Sequence, residues 1–266
     1  MTLEHRAKKR KPVLRNNDAT SKESGAPGAP EADKASVLSS FAHVDTWVFD
    51  LDNTLYPPHY DLWPKIDDRM TLFMADMLGL DGMSTRALQK YYYRQHGTTL
   101  RGLINEYDID PAKFLQFVHD IDRTSVEPDL DLHAAIAALP GRKLIFTNGS
   151  REHALRTSER LGIEKLFDDV FDIAAAEFVP KPDARAYDLF FARHAITPER
   201  AVMFEDISRN LIVPKQRAMM TVLVTPKTGD PDHRDGWEIV RDAPPHVDFI
   251  TDNLAVFLAG LVAELP

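Results

Sequence analysis

Apolar and polar positions follow two periods along this chain. Short apolar runs stop abruptly at polar residues in five places. They are 46–49 before Asp50-Leu51-Asp52-Asn53-Thr54, 143–146 before Thr147-Asn148-Gly149-Ser150, 169–173, 201–204 before Glu205-Asp206, and 221–224 before Thr225-Pro226; 246–250 is a candidate sixth. Brief runs of this kind fit strands buried on both faces. Apolar residues recur at three- and four-residue spacing between them. A helix over 151–161 is expected, with Ser150 as N-cap and Gly162 as its stop, and another over 183–194, where Ala186, Leu189 and Phe190 share a face. Strands alternating with helices predict an α/β fold built from βαβ units around a parallel sheet.

One interval breaks the alternation. Residues 55–127 hold no clear strand, and the helical period dominates at 62–78, 84–96, 100–106 and 111–122. The pattern predicts a helical subdomain (58–127) inserted into a core made of 41–57 and 128–266. Phe73, Met74, Met77 and Leu78 read as its interior. Residues 1–40, rich in Ser, Gly, Ala and Pro, read as a disordered basic leader.

Composition narrows the possibilities. A chain of 266 residues is long enough to bury a sizeable core. The absence of Cys excludes disulfide scaffolds, zinc ribbons, iron–sulfur ligation and thiol nucleophiles, and it fits a reducing, cytoplasmic setting. No run approaches the ~18 apolar residues of a membrane span. The polar N-terminus lacks the apolar stretch of a secretory signal. The net charge of −9 is uneven: residues 1–34 hold 8 Lys/Arg against 5 Asp/Glu, the remainder 24 against 36. An acidic body argues against non-specific nucleic-acid binding but leaves room for a divalent cation. A nucleic-acid tether through Arg6, Lys8, Lys9, Arg10 and Lys11 is not expected, and five carboxylates disfavour a mitochondrial presequence.

Four segments carry candidate chemistry, each with a plainer alternative. Asp50 and Asp52 stand two apart at a strand end. Carboxylates on one side of a strand repel, and a divalent cation such as Mg²⁺ resolves the conflict; a solvated turn would use the same residues. Thr147, Asn148, Gly149 and Ser150 offer hydroxyl, amide and backbone donors for an anion, or an ordinary capped helix start. Lys181 sits between Pro180 and Pro182, as a phosphate partner or as a surface Lys in a restricted loop. Glu205 and Asp206 either complete a metal site or begin a helix whose dipole favours acids.

Taken in order, these stretches resemble the haloacid dehalogenase-like hydrolase superfamily. FDLDNT, FTNGS, VPKP and FEDISRN match its four motifs over roughly residues 44–226. FDLDNTLYPP, FTNGS, FEDISRN and the insert stretch YYYRQHGTTLRGL look like its pyrimidine 5′-nucleotidase branch. The resemblance implies a Rossmann-like core with an α-helical cap. It makes Asp50 the nucleophile that becomes an aspartyl-phosphate, and Asp52 the general acid/base, with a pKa near working pH. Mg²⁺ would be held by Asp50, the backbone carbonyl of Asp52, and Asp206. Thr147, Lys181 and the Asn148 backbone would bind the phosphoryl group; Glu205 and Asn210 would support the metal, and Thr54 would buttress the acid loop. Asn53 stands where the wider superfamily often has Gly, and Glu205-Asp206 replaces the commoner Gly-Asp or Asp-Asp. The second acid, Asp52, argues against a dehalogenase, since those relatives lack it.

The implied substrate is a small phosphorylated molecule, a pyrimidine nucleoside 5′-monophosphate such as UMP, CMP or dUMP. Tyr92, His96 and Arg101 are the candidate cap contacts, while His133, His153 and His194 receive no role. Alternatives are a sugar phosphate or phosphoglycolate, a phosphomutase reaction, or a non-catalytic binding protein on this fold; the last would be expected to have lost an acid or the Lys.

Overall fold

The computed structural model describes residues 40–240 and 242–265. The basic leader expected over 1–40 therefore lies, but for Ser40, outside the described residues.

Six parallel strands form one sheet in the order β3-β2-β1-β4-β5-β6. They are β1 (Thr46–Phe49), β2 (Arg142–Phe146), β3 (Asp169–Phe171), β4 (Ala201–Glu205), β5 (Met220–Val224) and β6 (Phe249–Thr251). All four residues of β1 are buried. Trp47 and Phe49 face one apolar layer with Ile136 and Leu258; Val48 faces the other with Phe146, Tyr187 and Phe190. Side chains that alternate across a strand bury both faces of the sheet.

The helices follow the connections. α1 (Leu62–Leu78), α2 (Gly82–His96), α3 (Thr99–Tyr107) and α4 (Pro111–Val118) lie between β1 and β2. They share a separate apolar cluster that includes Ile66, Met74, Tyr92, Leu103 and Phe114, with Phe73, Met77 and Leu78 packed against it. α5 (Leu130–Ala138), α6 (Arg151–Leu161), α7 (Ala184–His194), α8 (Ile212–Gln216) and α9 (Leu254–Val262) cover the sheet. α6 begins at Ser150, whose hydroxyl accepts the His153 backbone N–H, and ends at Gly162 in the left-handed region, as the sequence pattern expects.

Two expectations need adjustment. α4 stops at Val118 rather than running to residue 122, because the His119 side chain is held by Ser150 and its carbonyl by Arg123. α5 and α9 escape the periodic reading. α9 (LAVFLAGLV) is apolar almost all round, so its sequence carries little helical contrast.

Register decides where the chemistry sits. Phe49 of β1 pairs with Ile145 of β2 and with Phe204 of β4. The carboxyl ends of these strands are level, so Asp50, Thr147 and Glu205 emerge along one edge. The chain order reverses between β1 and β4, and ligands of open α/β sheets bind in the crevice at such a point.

Gly141 turns the chain into β2 with φ +76°, and a Cβ there would stand 2.2 Å from the Asp45 carbonyl oxygen. Gly141→Ala should cost about 2 kcal/mol or more, from left-handed strain and overpacking together. The check is the shift in urea midpoint at unchanged slope.

Candidate active site

The site is assembled at the ends of β1, β2 and β4. Asp50 follows β1, and its backbone N–H donates to the Phe204 carbonyl (2.9 Å), tying it to β4. Lys181 is 1% exposed. Its Nζ donates to Asp50 Oδ1 (2.6 Å), the Phe146 carbonyl (2.8 Å) and Glu205 Oε1 (3.0 Å). Asn148 aims the loop that carries this Lys: its Oδ1 accepts the Lys181 N–H (2.8 Å), and its Nδ2 donates to the Lys181 carbonyl (3.2 Å). Glu205 is fully engaged. Oε1 also accepts from Asn210 Nδ2 (2.5 Å), and Oε2 accepts the Ile207 N–H (2.6 Å).

Asp50, Glu205 and Asp206 bring carboxylate oxygens within 4.8 Å of one another, all buried. Lys181 pairs with Asp50 and Glu205, while Asp206 has no ion pair with it and feels the positive charge of Arg234. Burial pushes Asp50 up to about 7 against the pull of Lys181, with Glu205 and Asp52 adding to the rise. Burial, with Glu205 and Asp50 adding to it, pushes Asp206 well above the carboxylate range against the pull of Arg234. This donor set, hard oxygens with charge in excess, suits a divalent cation. The Asn210 Oδ1 beside it is buried without a hydrogen-bond partner.

Asp52 lies on a different set of partners. Its Oδ1 receives the Tyr56 hydroxyl (2.6 Å) and meets His153 Nε2 (2.8 Å). Burial raises its pKa, but His153 and Tyr56 outweigh that and bring it down to about 2. The expectation of a value near working pH is therefore corrected: the neighbouring His153, then the hydrogen bonds from His153 and Tyr56, favour the ionised form. His153 is fully buried. Its ring stacks on His119 at 4.5 Å between centroids, and His119 Nδ1 lies 2.8 Å from Ser150 Oγ. Burial and the nearby His153 lower the His119 pKa well below the usual imidazole value.

Thr147 is buried in the lining of the cleft, and its hydroxyl accepts the Gly149 N–H (2.9 Å). The hydroxyl proton remains available to an anion. Thr54 braces the acid loop through its backbone N–H to the Leu51 carbonyl (3.3 Å), while its hydroxyl has no partner.

The helical insert closes over this edge. The cleft is lined by Asp50, Asp52, Thr147, Lys181 and Asp206 on the sheet side, and by Trp63, Gln89, Lys90, Tyr93 and Thr98 on the insert side. Tyr92, His96 and Arg101 do not line it. Tyr92 packs in the interior of the insert, with its hydroxyl 3.3 Å from that of Tyr107, and His96 lies against Tyr92 and Asn105. A one-residue step along a helix turns a side chain by about 100°, so Tyr93, not Tyr92, faces the cleft.

A loop after β5 was invisible in the sequence, which offers no motif there. Glu238 accepts from the Tyr93 hydroxyl (2.6 Å) and pairs with Arg209 (3.4 Å). The Arg209 guanidinium lies 4.9 Å from the Tyr93 ring centroid and 4.7 Å from that of Trp237. Lys90 meets Asp235 at 3.1 Å. These contacts hold α2 against the sheet side of the cleft. His153 was missed for a different reason: inside a helical pattern it looks like any core His, and only the fold aims it at Asp52.

Comparisons with known proteins agree with this architecture. A family model described as haloacid dehalogenase-like hydrolase matches residues 44–214. Phosphate metabolism protein 8 of Saccharomyces cerevisiae is 31% identical over 157 residues, which cover 53% of this chain and 48% of that protein. The match thus spans about half the length of this curated relative. CbbY from Rhodobacter sphaeroides, solved in complex with phosphate, superposes with a TM-score of 0.55 at 18% identity, covering 82% of this chain and 99% of that one. A HAD phosphatase from Thermococcus onnurineus gives 0.55 at 14% identity, covering 84% and 99%.

The raised Asp50 value has a consequence for stability. An acid whose folded pKa exceeds its unfolded value favours folding below about pH 4, and that contribution is lost as pH rises through about 7. In chelator, urea midpoints should fall between about pH 5 and about pH 8. A divalent cation should reduce the fall, and Asp206→Asn should reduce it in chelator.

Proposed function

Since the chain belongs to the haloacid dehalogenase-like hydrolases, we propose that it is a Mg²⁺-dependent phosphatase. It hydrolyses pyrimidine nucleoside 5′-monophosphates through an aspartyl-phosphate on Asp50. The observation that carries the phosphatase reading is the buried cluster of Asp50, Glu205 and Asp206 around Lys181. Residues 41–57 and 128–266 are taken as the catalytic core, and 58–127 as its cap.

The chemistry follows from charge and position. Asp50 attacks phosphorus as the bond to the ester oxygen breaks, and Asp52 gives that oxygen a proton. Water then attacks phosphorus, its proton passes to Asp52, and the bond to Asp50 breaks, releasing phosphate. Asp52 is ionised in the substrate-free protein. A bound phosphoryl dianion beside it raises its proton affinity, so the proton it donates is taken up with the substrate. Lys181 offsets negative charge between nucleophile and phosphoryl group, and the Thr147 hydroxyl with the loop amides orients the phosphoryl oxygens. Asp50, the Asp52 carbonyl and Asp206 would hold Mg²⁺, which when bound neutralises charge on the transferring group. Lys181 and Asn210 occupy Glu205, which leaves it the supporting part.

The nucleotide reading rests on the resemblance of FDLDNTLYPP and of the insert stretch to the nucleotidase branch. It is supported by the lining of the cleft, where Trp63 and Tyr93 stand beside the polar Gln89, Lys90 and Thr98. Such a wall offers an aromatic face for a base, with donors and acceptors for its edges.

Phosphate release from UMP, CMP, dUMP, AMP, GMP, phosphoglycolate and sugar phosphates, with Mg²⁺ and with chelator, tests both levels. Mg²⁺-dependent release should favour the pyrimidine monophosphates and vanish in Asp50→Asn. Preference for another ester would overturn the substrate alone. Release undiminished in Asp50→Asn would remove Asp50 as nucleophile.

A further inference from the structure

We propose that His153, oriented by Arg123, is a positioning residue for Asp52, pinning one carboxylate oxygen so that the other handles the proton. The proposal rests on the phosphatase reading above and goes beyond it by assigning a residue outside the four motifs.

The geometry is specific. His153 is fully buried, so both ring nitrogens need partners. Arg123 Nη2 lies 2.8 Å from His153 Nδ1. A guanidinium only donates, so Nδ1 is the acceptor and Nε2 carries the hydrogen. That N–H points at Asp52 Oδ1, 2.8 Å away. Arg123 is itself fixed by the carbonyls of His119 (3.0 Å) and Ile121 (3.1 Å) and by Thr157 Oγ1 (3.3 Å). The stacked His119 ring prevents the imidazole from swinging.

Tyr56 donates to the same oxygen, Oδ1. Among the described residues, no side chain or backbone group bonds Oδ2, and Asp52 lines the cleft. The carboxylate is thereby held in one rotation, with Oδ2 the oxygen open to the ester and to water. Tyr56 stands on the connection entering the helical insert and Arg123 on the connection leaving it. Both crossings between the two parts of the molecule therefore bear on the acid, one directly and one through His153.

The test separates positioning from general damage. An ester with a poor leaving group needs a well-placed acid, whereas 4-nitrophenyl phosphate needs little protonation. His153→Leu should lower kcat on methyl phosphate by about 10²-fold more than on 4-nitrophenyl phosphate, with KM for both changed less than about threefold. His153→Gln, which can still donate from Nε2, should recover most of that loss. Added to Asp52→Asn, His153→Leu should cost little further, because both act through one group. Equal losses on the two esters, or full additivity with Asp52→Asn, would overturn the proposal. If His153→Leu does not fold, Tyr56→Phe makes the same comparison on the other donor to Oδ1, with the same expected and contrary outcomes.

A readout independent of turnover is the ¹⁵N spectrum of the histidine rings, with His153→Gln identifying the signal. An Nε2–H tautomer supports the proposal, and an Nδ1–H tautomer overturns it. A wild-type chain that releases phosphate from neither ester nor from any member of the panel above overturns the phosphatase reading, and this proposal with it; the tautomer result would still describe the Asp52 contact correctly.

Discussion

Three carboxylates are buried together at the end of a parallel sheet, and a single ammonium, that of Lys181, pairs with two of them, Asp50 and Glu205. Lys181 spends all three of its N–H donors inside the protein, on Asp50, Glu205 and the Phe146 carbonyl. Such an arrangement is stable only if each member is held, because a buried charge that loses its partner is costly. The holding groups are accordingly short and local. Asn148 brackets the Lys181 backbone from both sides, and Asn210 and the Ile207 amide complete Glu205. The three carboxylates gathered there form a donor set that could hold a divalent cation.

The helical insert completes the site from the other side. Its apolar cluster also takes in Ile173 and Phe178 from the segment after β3, and polar and aromatic contacts add to that join. The layering of Tyr93, Arg209 and Trp237, closed by Glu238, is the most developed of these. It turns an open strand edge into a walled cleft, where exclusion of water strengthens every electrostatic contact. The second junction lies at the acid, where Tyr56 and His153 converge on one oxygen of Asp52. The Asp52 carboxylate is thus held by residues on both connections between the helical insert and the sheet.

The sheet, the insert and the four polar segments were legible in the amino-acid sequence because their signals are local. Strands buried on both faces are short apolar runs, and amphipathic helices repeat every three to four residues. A carboxylate directly after a strand will emerge at the sheet edge whatever follows. α9 was not legible, since a helix apolar on all sides has no contrast to read. The end of α4 was not legible either, since His119 leaves the helix to meet partners distant in sequence.

The sequence by itself determined on which strand ends Asp50, Thr147 and Glu205 would stand. Only the tertiary structure decided their states and their company. Asp52, expected near working pH, is held ionised by the neighbouring His153 and by the hydrogen bonds from His153 and Tyr56. Tyr93 rather than Tyr92 faces the cleft because α2 packs on α1 and α3 in one rotation. His153 and Arg123, unmarked by any motif, become neighbours of the acid through packing. The physical reason is common to all three: proton affinity and side-chain direction depend on burial and on donors brought from far along the chain, and no local pattern records them.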